Sequence, residues 1–150
     1  MGVEKDFSPV CLVMGVLYTD SGAFAAVRSL MEETFGPIRS MTEPVSFDFT
    51  DYYNEEMGGR PLRLYCLFDR LVDPRELAGI KHYTDSLEKL HRTENGGRKV
   101  NLDPGLLTSG NLVLATTKNR SQRIALDLCR ADPSLLSWGI PELSLDLCRL

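Results

Sequence analysis

Five cations and one carboxylate fall within Arg98–Ile124: Arg98, Lys99, Lys118, Arg120 and Arg123 against Asp103, in a chain whose formal net charge is -4. Guanidinium forks match the geometry of phosphate and carboxylate groups, and Thr116 and Thr117 add hydroxyl donors. The segment reads as an anion site for a nucleotide or a phosphorylated metabolite. Asn101, Asp103, Lys118 and Arg123 would bind that ligand, with Asp48 and Asp51 beside them. Those two aspartates belong to Glu43–Glu56, which holds five acids and no Lys or Arg. Clustered carboxylate oxygens suit a divalent metal, so Asp48, Asp51 and Asp103 define an alternative, a metal-assisted hydrolase or transferase. Each segment also has a plain structural account. Local charges of +4 and -5 invite the two to pair with one another, and Asp51 suits the cap of a helix. Asp103-Pro104-Gly105 is equally open. Pro fixes φ and Gly permits a positive φ, which makes a turn, or Asp103 serves a ligand. A protein-protein interaction module, built on a sheet edge or an apolar patch, is a third reading.

Several chemistries are excluded by motif. There is no Gly-x-x-x-x-Gly-Lys-Ser/Thr phosphate loop, no Gly-x-Gly-x-x-Gly after the first apolar run and no Gly-x-Ser-x-Gly nucleophile turn. His82 and His91 are nine residues apart, which puts them on opposite faces of a helix, so they cannot share a metal there. The four cysteines form no Cys-x-x-Cys pair; Cys11 and Cys66 sit in apolar runs and read as small core residues. With no secretory signal at the N-terminus, reduced thiols and a cytoplasmic location are expected. No run of about 18 apolar residues marks a membrane span, and the acidic balance argues against a nucleic-acid binder. No cofactor is specified, a divalent metal being the one candidate.

The elements that must position these groups follow from periodicity. Val10–Leu17 is a continuous apolar run, as in a buried central strand. Asp20 or Ser21 can cap a helix whose stripe is Phe24, Val27, Met31 and Phe35, and Gly36-Pro37 ends it. Ile38–Phe49 reads as extended and is interrupted at Pro44; within it Phe47 and Phe49 would face the core and Asp48 the solvent. Leu62–Leu71 is a further strand. Asp73-Pro74-Arg75-Glu76 starts a second helix that buries Leu77, Ile80, Leu87 and Leu90. After a turn at Asn95-Gly96-Gly97, Val100–Leu102 forms a short strand, Asp103-Pro104-Gly105 a turn, and Leu106–Thr117 a third helix. The order strand, helix, strand, strand, helix, strand predicts an α+β, ferredoxin-like split βαβ sheet with two helices on one face and a C-terminal helical extension. One domain is expected over residues 1–124, followed by an atypical tail over 125–150.

Three stretches together resemble a known family: Phe-Gly-Pro-Ile (35–38) leading to Phe-Asp-Phe-Thr-Asp-Tyr-Tyr-Asn-Glu-Glu-Met-Gly (47–58); Phe-Asp-Arg-Leu-Val-Asp-Pro-Arg-Glu-Leu-Ala-Gly-Ile-Lys (68–81); and Arg-Lys-Val-Asn-Leu-Asp-Pro-Gly with Leu-Val-Leu-Ala-Thr-Thr-Lys (98–105 and 112–118). The chain looks like a member of the bacterial and archaeal family called domain of unknown function 4416, over residues 10–124. The resemblance implies no particular activity. Leu106 stands where relatives usually carry Tyr. Relatives continue past the position of Ile124 with a Gly-Ile-Tyr-Ala-Glu-Val-Thr-Leu-like strand and a Pro-Trp-Thr-Tyr-Pro-like segment, and only Ser137–Pro141 is similar to the second. The expectation is that residues 125–150 are a frameshifted or truncated end. Translating the other two reading frames of the gene beyond codon 124 should reveal the missing strand, and its absence from both frames would refute the frameshift.

Overall fold

The computed structural model describes residues 2–3, 5–118, 124–126 and 129–132. Val10–Tyr18 forms the central strand β1, its residues buried on both faces from Cys11 onward. Even-numbered Leu12, Met14 and Val16 join one apolar cluster and odd-numbered Cys11 and Val13 join another, as the two-residue period of a strand requires. Helix α1 (Ser21–Phe35) follows. The Asp20 carboxylate accepts from the Ala23 N–H at 2.9 Å, satisfying one of the helix's orphan donors. Gly36 stops the helix at φ +90°. Phe24, Val27, Met31 and Phe35 are all buried.

The extended segment divides at Pro44 into β2 (Ile38–Met41) and β3 (Val45–Ser46). A short helix α2 (Tyr52–Met57) precedes β4 (Leu62–Val72). A 3-10 turn capped by Asp73 then leads into α3 (Leu77–Leu90). Leu77, Ile80 and Leu87 are buried as expected, but Leu90 is 72% exposed. The buried stripe runs instead through Lys81, Thr84 and Glu88, because Leu90 falls about 150° around the helix from those three at roughly 100° per residue.

The strand after α3 corrects two expectations. Asp103-Pro104-Gly105 is not a turn, and Leu106–Thr117 is not a helix: β5 (Val100–Leu107) runs straight through the tripeptide and β6 (Leu112–Thr116) follows it. Period-two burial overrides local turn propensity here. Val100, Leu102 and Leu106 belong to the helix-covered cluster, while Leu107 lies on the other face. The turn chemistry sits later, at Thr108–Asn111, where the Thr108 N–H donates to Asn111 O at 2.9 Å and Thr108 Oγ1 accepts from the Asn111 N–H at 3.1 Å. Pro104 is tolerated because the pairing of β5 with β6 reaches only to Gly105↔Leu114. Beyond that point the side of β5 turned away from β1 needs no N–H from residue 104.

All these strands join one antiparallel sheet in the order β2-β4-β1-β5-β6, with β3 also on β4. Residues 124–126 and 129–132 form strands, β7 (Ile124–Leu126) and β8 (Cys129–Asp132), where a helical extension was expected; β8 pairs with β6 and β7 with β8. The remaining tail and Trp138 lie outside the described residues. Helices α1 and α3 contribute to the large cluster on one face. The third helix, α2, packs through Met57 with Leu17 and Phe47 on the other. Cys11 and Cys66 are buried and on opposite faces. No helix among the described residues is long and apolar enough to cross a membrane.

Gly105 is where β6 folds closely onto β5. A Cβ there would overlap the Leu114 side chain and stand 2.8 Å from Val113 O. Gly105→Ala is therefore expected to lower unfolding free energy by about 1–3 kcal/mol through overpacking. A urea midpoint equal to that of the wild type would show that β6 yields without cost.

Candidate functional site

The site begins with a missing side chain. Gly15 on β1 pairs with Tyr65 of β4 on one side and Asp103 of β5 on the other. Leu17, two residues on, pairs with Arg63 and Asn101. The side chains at 15 and 17 share a face, so the row Tyr65-Gly15-Asp103 has an empty centre. A cavity of about 190 Å³ lies over it, lined by Arg63, Tyr65, Asp103 and Leu114 together with Phe47 and Tyr53. A Cβ at Gly15 would stand 3.4 Å from the Tyr65 ring and 3.5 Å from Asp103 O. Those are ordinary contacts, so the space is left by the absent side chain and is not forced by crowding.

A second cavity of about 180 Å³ opens where β5 and β6 part beyond Gly105. Lys81 and Asp85 of α3, Asn101 of β5, and Thr117 and Lys118 after β6 line it. Tyr53, Asp103 and Leu114 line both cavities, which therefore adjoin.

The uncovered edge of β5 is served by side chains. The Leu102 N–H donates to Glu88 Oε1 at 2.7 Å, and Lys81 Nζ donates to Leu102 O at 2.7 Å. Lys81 also meets Asp85 Oδ1 at 3.1 Å and Asp103 Oδ1 at 3.4 Å. Arg98 forks onto Glu56, with Nε–Oε1 at 2.6 Å and Nη2–Oε2 at 2.9 Å, and its Nη1 reaches Glu88 Oε2 at 2.8 Å and Asn101 Oδ1 at 2.6 Å. Asn101 Nδ2 in turn donates to Asp103 Oδ2 at 2.8 Å. The Asp103 carboxylate is thus held at both oxygens, yet its side chain remains 39% exposed.

Burial disfavours the charge on Lys81, but Asp103, Glu88 and Asp85 outweigh it and raise its pKa, so Lys81 is an ammonium and not a free amine nucleophile. Burial pushes the Glu88 carboxyl up, against the pull of Lys81 and Arg98. The Arg98 hydrogen bonds hold Glu56 below its usual range against burial. Burial raises both Tyr53 and Tyr65, with Asp103 acting in the same direction, so both phenols keep their protons.

The residues expected to form a site are partly gathered. Asn101 and Asp103 are hydrogen-bonded to one another, and Lys118 lines the same cleft, 5.0 Å from the Tyr52 ring centroid. Asp48 and Asp51 are exposed and line neither cavity. Asp51 precedes α2 but accepts from Asn54 Nδ2, with no side-chain bond to the helix backbone. Phe47 is buried, whereas Phe49, expected inward, is 64% exposed, because residues 47–49 are not in a strand. Arg120 and Arg123 lie outside the described residues. Among the described residues no three His, Cys, Asp or Glu side chains are grouped to hold a metal. The acidic and basic segments do meet, through Arg98 and Glu56, and Lys99 pairs with Asp20 at 3.4 Å.

Sequence reasoning missed Gly15, Tyr53, Arg63, Tyr65, Lys81 and Glu88. Only Gly15 carried a signal, as a glycine inside an apolar strand, which marks a bulge or a close approach.

These features define an α+β protein with one antiparallel sheet, helices on both faces and a two-chambered cleft beside β5. The chain belongs to the family described as Domain of unknown function (DUF4416), whose model matches residues 8–128. No curated protein gives a significant match, and no solved structure does.

Glu56 gives a pH test. Its folded-state pKa lies below the unfolded value, so its contribution to stability is present above the ordinary carboxylate range and is lost as pH falls through the depressed value. Glu56→Gln should lower stability at pH 7 and flatten its decline on acidification. Urea midpoints measured from pH 7 to pH 3 should show this; an acid limb as steep as that of the wild type would contradict it.

Proposed function

We propose that this protein binds a small anionic molecule in the cavity over Gly15, with a flat body against Tyr65 and Tyr53 and the anionic group at Arg63. The observation that carries this reading is the setting of Arg63. Its guanidinium carbon lies 5.6, 5.2 and 5.7 Å from the ring centroids of Phe47, Phe49 and Tyr65. Among the described residues no carboxylate pairs with it. An aromatic cradle positions the cation by cation–π attraction without neutralising it, which leaves its charge for a ligand. Arg98, by contrast, is engaged by protein groups.

Size narrows the class. Each cavity is smaller than the roughly 300–1,000 Å³ of common ligand sites. A single-ring carboxylate or phosphate ester suits the Gly15 chamber alone, and a nucleotide requires the adjoining cleft of Asn101, Thr117 and Lys118 as well. The strand order β2-β4-β1-β5, with α1 and α3 packed on one face, supports a ferredoxin-like reading of the core. The unpaired thiol of Cys66 supports a cytoplasmic setting.

A calorimetric panel of aromatic carboxylates, phosphate monoesters and mononucleotides tests the reading. At least one is expected to bind, and Arg63→Met should weaken it roughly 10–100-fold, the worth of a hydrogen bond to a charged group. Failure of every member to bind at millimolar concentration, or binding unaffected by Arg63→Met, would count against it.

A further inference from the structure

We propose that the Gly15 cavity is a proton-transfer site, in which Asp103 removes a proton from the carbon next to a carbonyl and Tyr53 and Tyr65 donate hydrogen bonds to the enolate oxygen. This rests on the binding reading above for occupancy of the cavity and adds a reaction to it.

The geometry supplies the three parts such chemistry needs. The first is a positioned base. Asp103 stands on a central strand with Asn101 on one oxygen and Lys81 on the other, and it opens into both chambers. Asn101 is itself fixed by Arg98 at 2.6 Å, so the carboxylate is oriented by a chain of groups that ends in buried charge. The second is an oxyanion site. Tyr65 faces Asp103 across the empty position of Gly15, two strand spacings or roughly 10 Å between backbones, which leaves room for one small molecule. Neither the Tyr53 nor the Tyr65 hydroxyl has a hydrogen-bond partner among the described residues, and both phenols stay protonated. The third is an apolar lining. Leu112 and Leu114 line the same chamber, and donors set among apolar side chains stabilise developing charge more than they would in bulk water.

The substrate class follows from the lining: a small 2-oxo carboxylate, its carboxylate at Arg63 and its carbonyl toward the phenols. The proton balance closes without another reagent. The C–H bond breaks and its proton goes to Asp103. The bonding pair forms a carbon–carbon double bond, and the carbonyl π electrons move to the oxygen that accepts from the tyrosines. The proton on Asp103, whose side chain is 39% exposed, is replaced from solvent; delivery of that solvent proton to the same carbon gives exchange, and protonation of the oxygen by solvent gives the enol.

Phenylpyruvate and 2-oxobutanoate in deuterium oxide test this, with proton NMR reading deuterium incorporation at the carbon beside the carbonyl and calorimetry reading binding. The wild-type chain is expected to exchange a bound 2-oxo acid at least about 100-fold faster than buffer, the lower range for a positioned general base. Asp103→Asn should bring exchange to the buffer rate while binding persists. Because Asp103 also contacts Lys81, the double variant Tyr53→Phe with Tyr65→Phe leaves the charged groups intact, and it should slow exchange at least 10-fold with affinity changed less. Binding of a 2-oxo acid without exchange, or exchange at the wild-type rate in either variant, would overturn the proposal and leave the binding reading standing. Binding of phosphate esters with no binding of either 2-oxo acid would do the same, and binding of nothing would overturn both.

Discussion

The backbone of Leu102 is the point on which the structure turns. Its N–H and C=O both face the side of β5 that β6 has left, and both are answered by ionisable side chains of one helix, Glu88 and Lys81. An unpaired buried peptide group costs on the order of 1–3 kcal/mol, so a strand cannot lose its neighbour in the interior without such replacements. The charges brought in for this purpose then need partners of their own. Lys81 recruits Asp85 and Asp103, and Glu88 recruits Arg98, which recruits Glu56 and Asn101. The polar network beside the cleft is thus a consequence of parting two strands, and the cleft is the space between them.

The same parting accounts for the second chamber. With β6 drawn over one face of the sheet at Gly105, Leu114 reaches above β5 and meets Tyr53 and Asp103 at the boundary between the cavities. Two glycines do opposite work within this frame. Gly105 permits contact that a side chain would forbid, whereas Gly15 leaves a space that a side chain would occupy. One closes the sheet on itself and the other keeps its centre open. The carboxylate between them, Asp103, is held by structural charges on one side and open to a cavity on the other, and this is what makes it a candidate for chemistry as well as for stability.

Much of the scaffold was legible in the residues. The unbroken apolar run of β1, the stripe and caps of α1, and the break at Pro44 are local signals whose physics is short-range. The pairing of the acidic and basic segments stood as one of two open accounts, and Arg98 with Glu56 realises it. Other features were misread for a common reason. Asp103-Pro104-Gly105 has turn propensity, and Leu106–Thr117 was expected to be a helix; pairing of β5 with β1 and of β6 with β5, with the burial of alternate residues, decided the conformation. Leu90 falls three residues after Leu87 and so extends the apolar spacing of Leu77, Ile80 and Leu87, whereas the buried face of α3 carries Lys81 and Glu88.

What the sequence by itself determined was the kind of the long elements up to the second main helix and the charge opposition between two segments; the strand that puts Asn101 and Asp103 on one face came from the tertiary structure. Only the tertiary structure decided where an ammonium and a carboxylate could be buried, which row of the sheet would lack a side chain, and that Tyr65 and Asp103 would face one another across it. The reason is physical. Periodicity along a chain reports which side a residue faces, but register between strands is set by the fit of whole faces. A site made of a gap in one strand and groups on its two neighbours exists only once that register is formed.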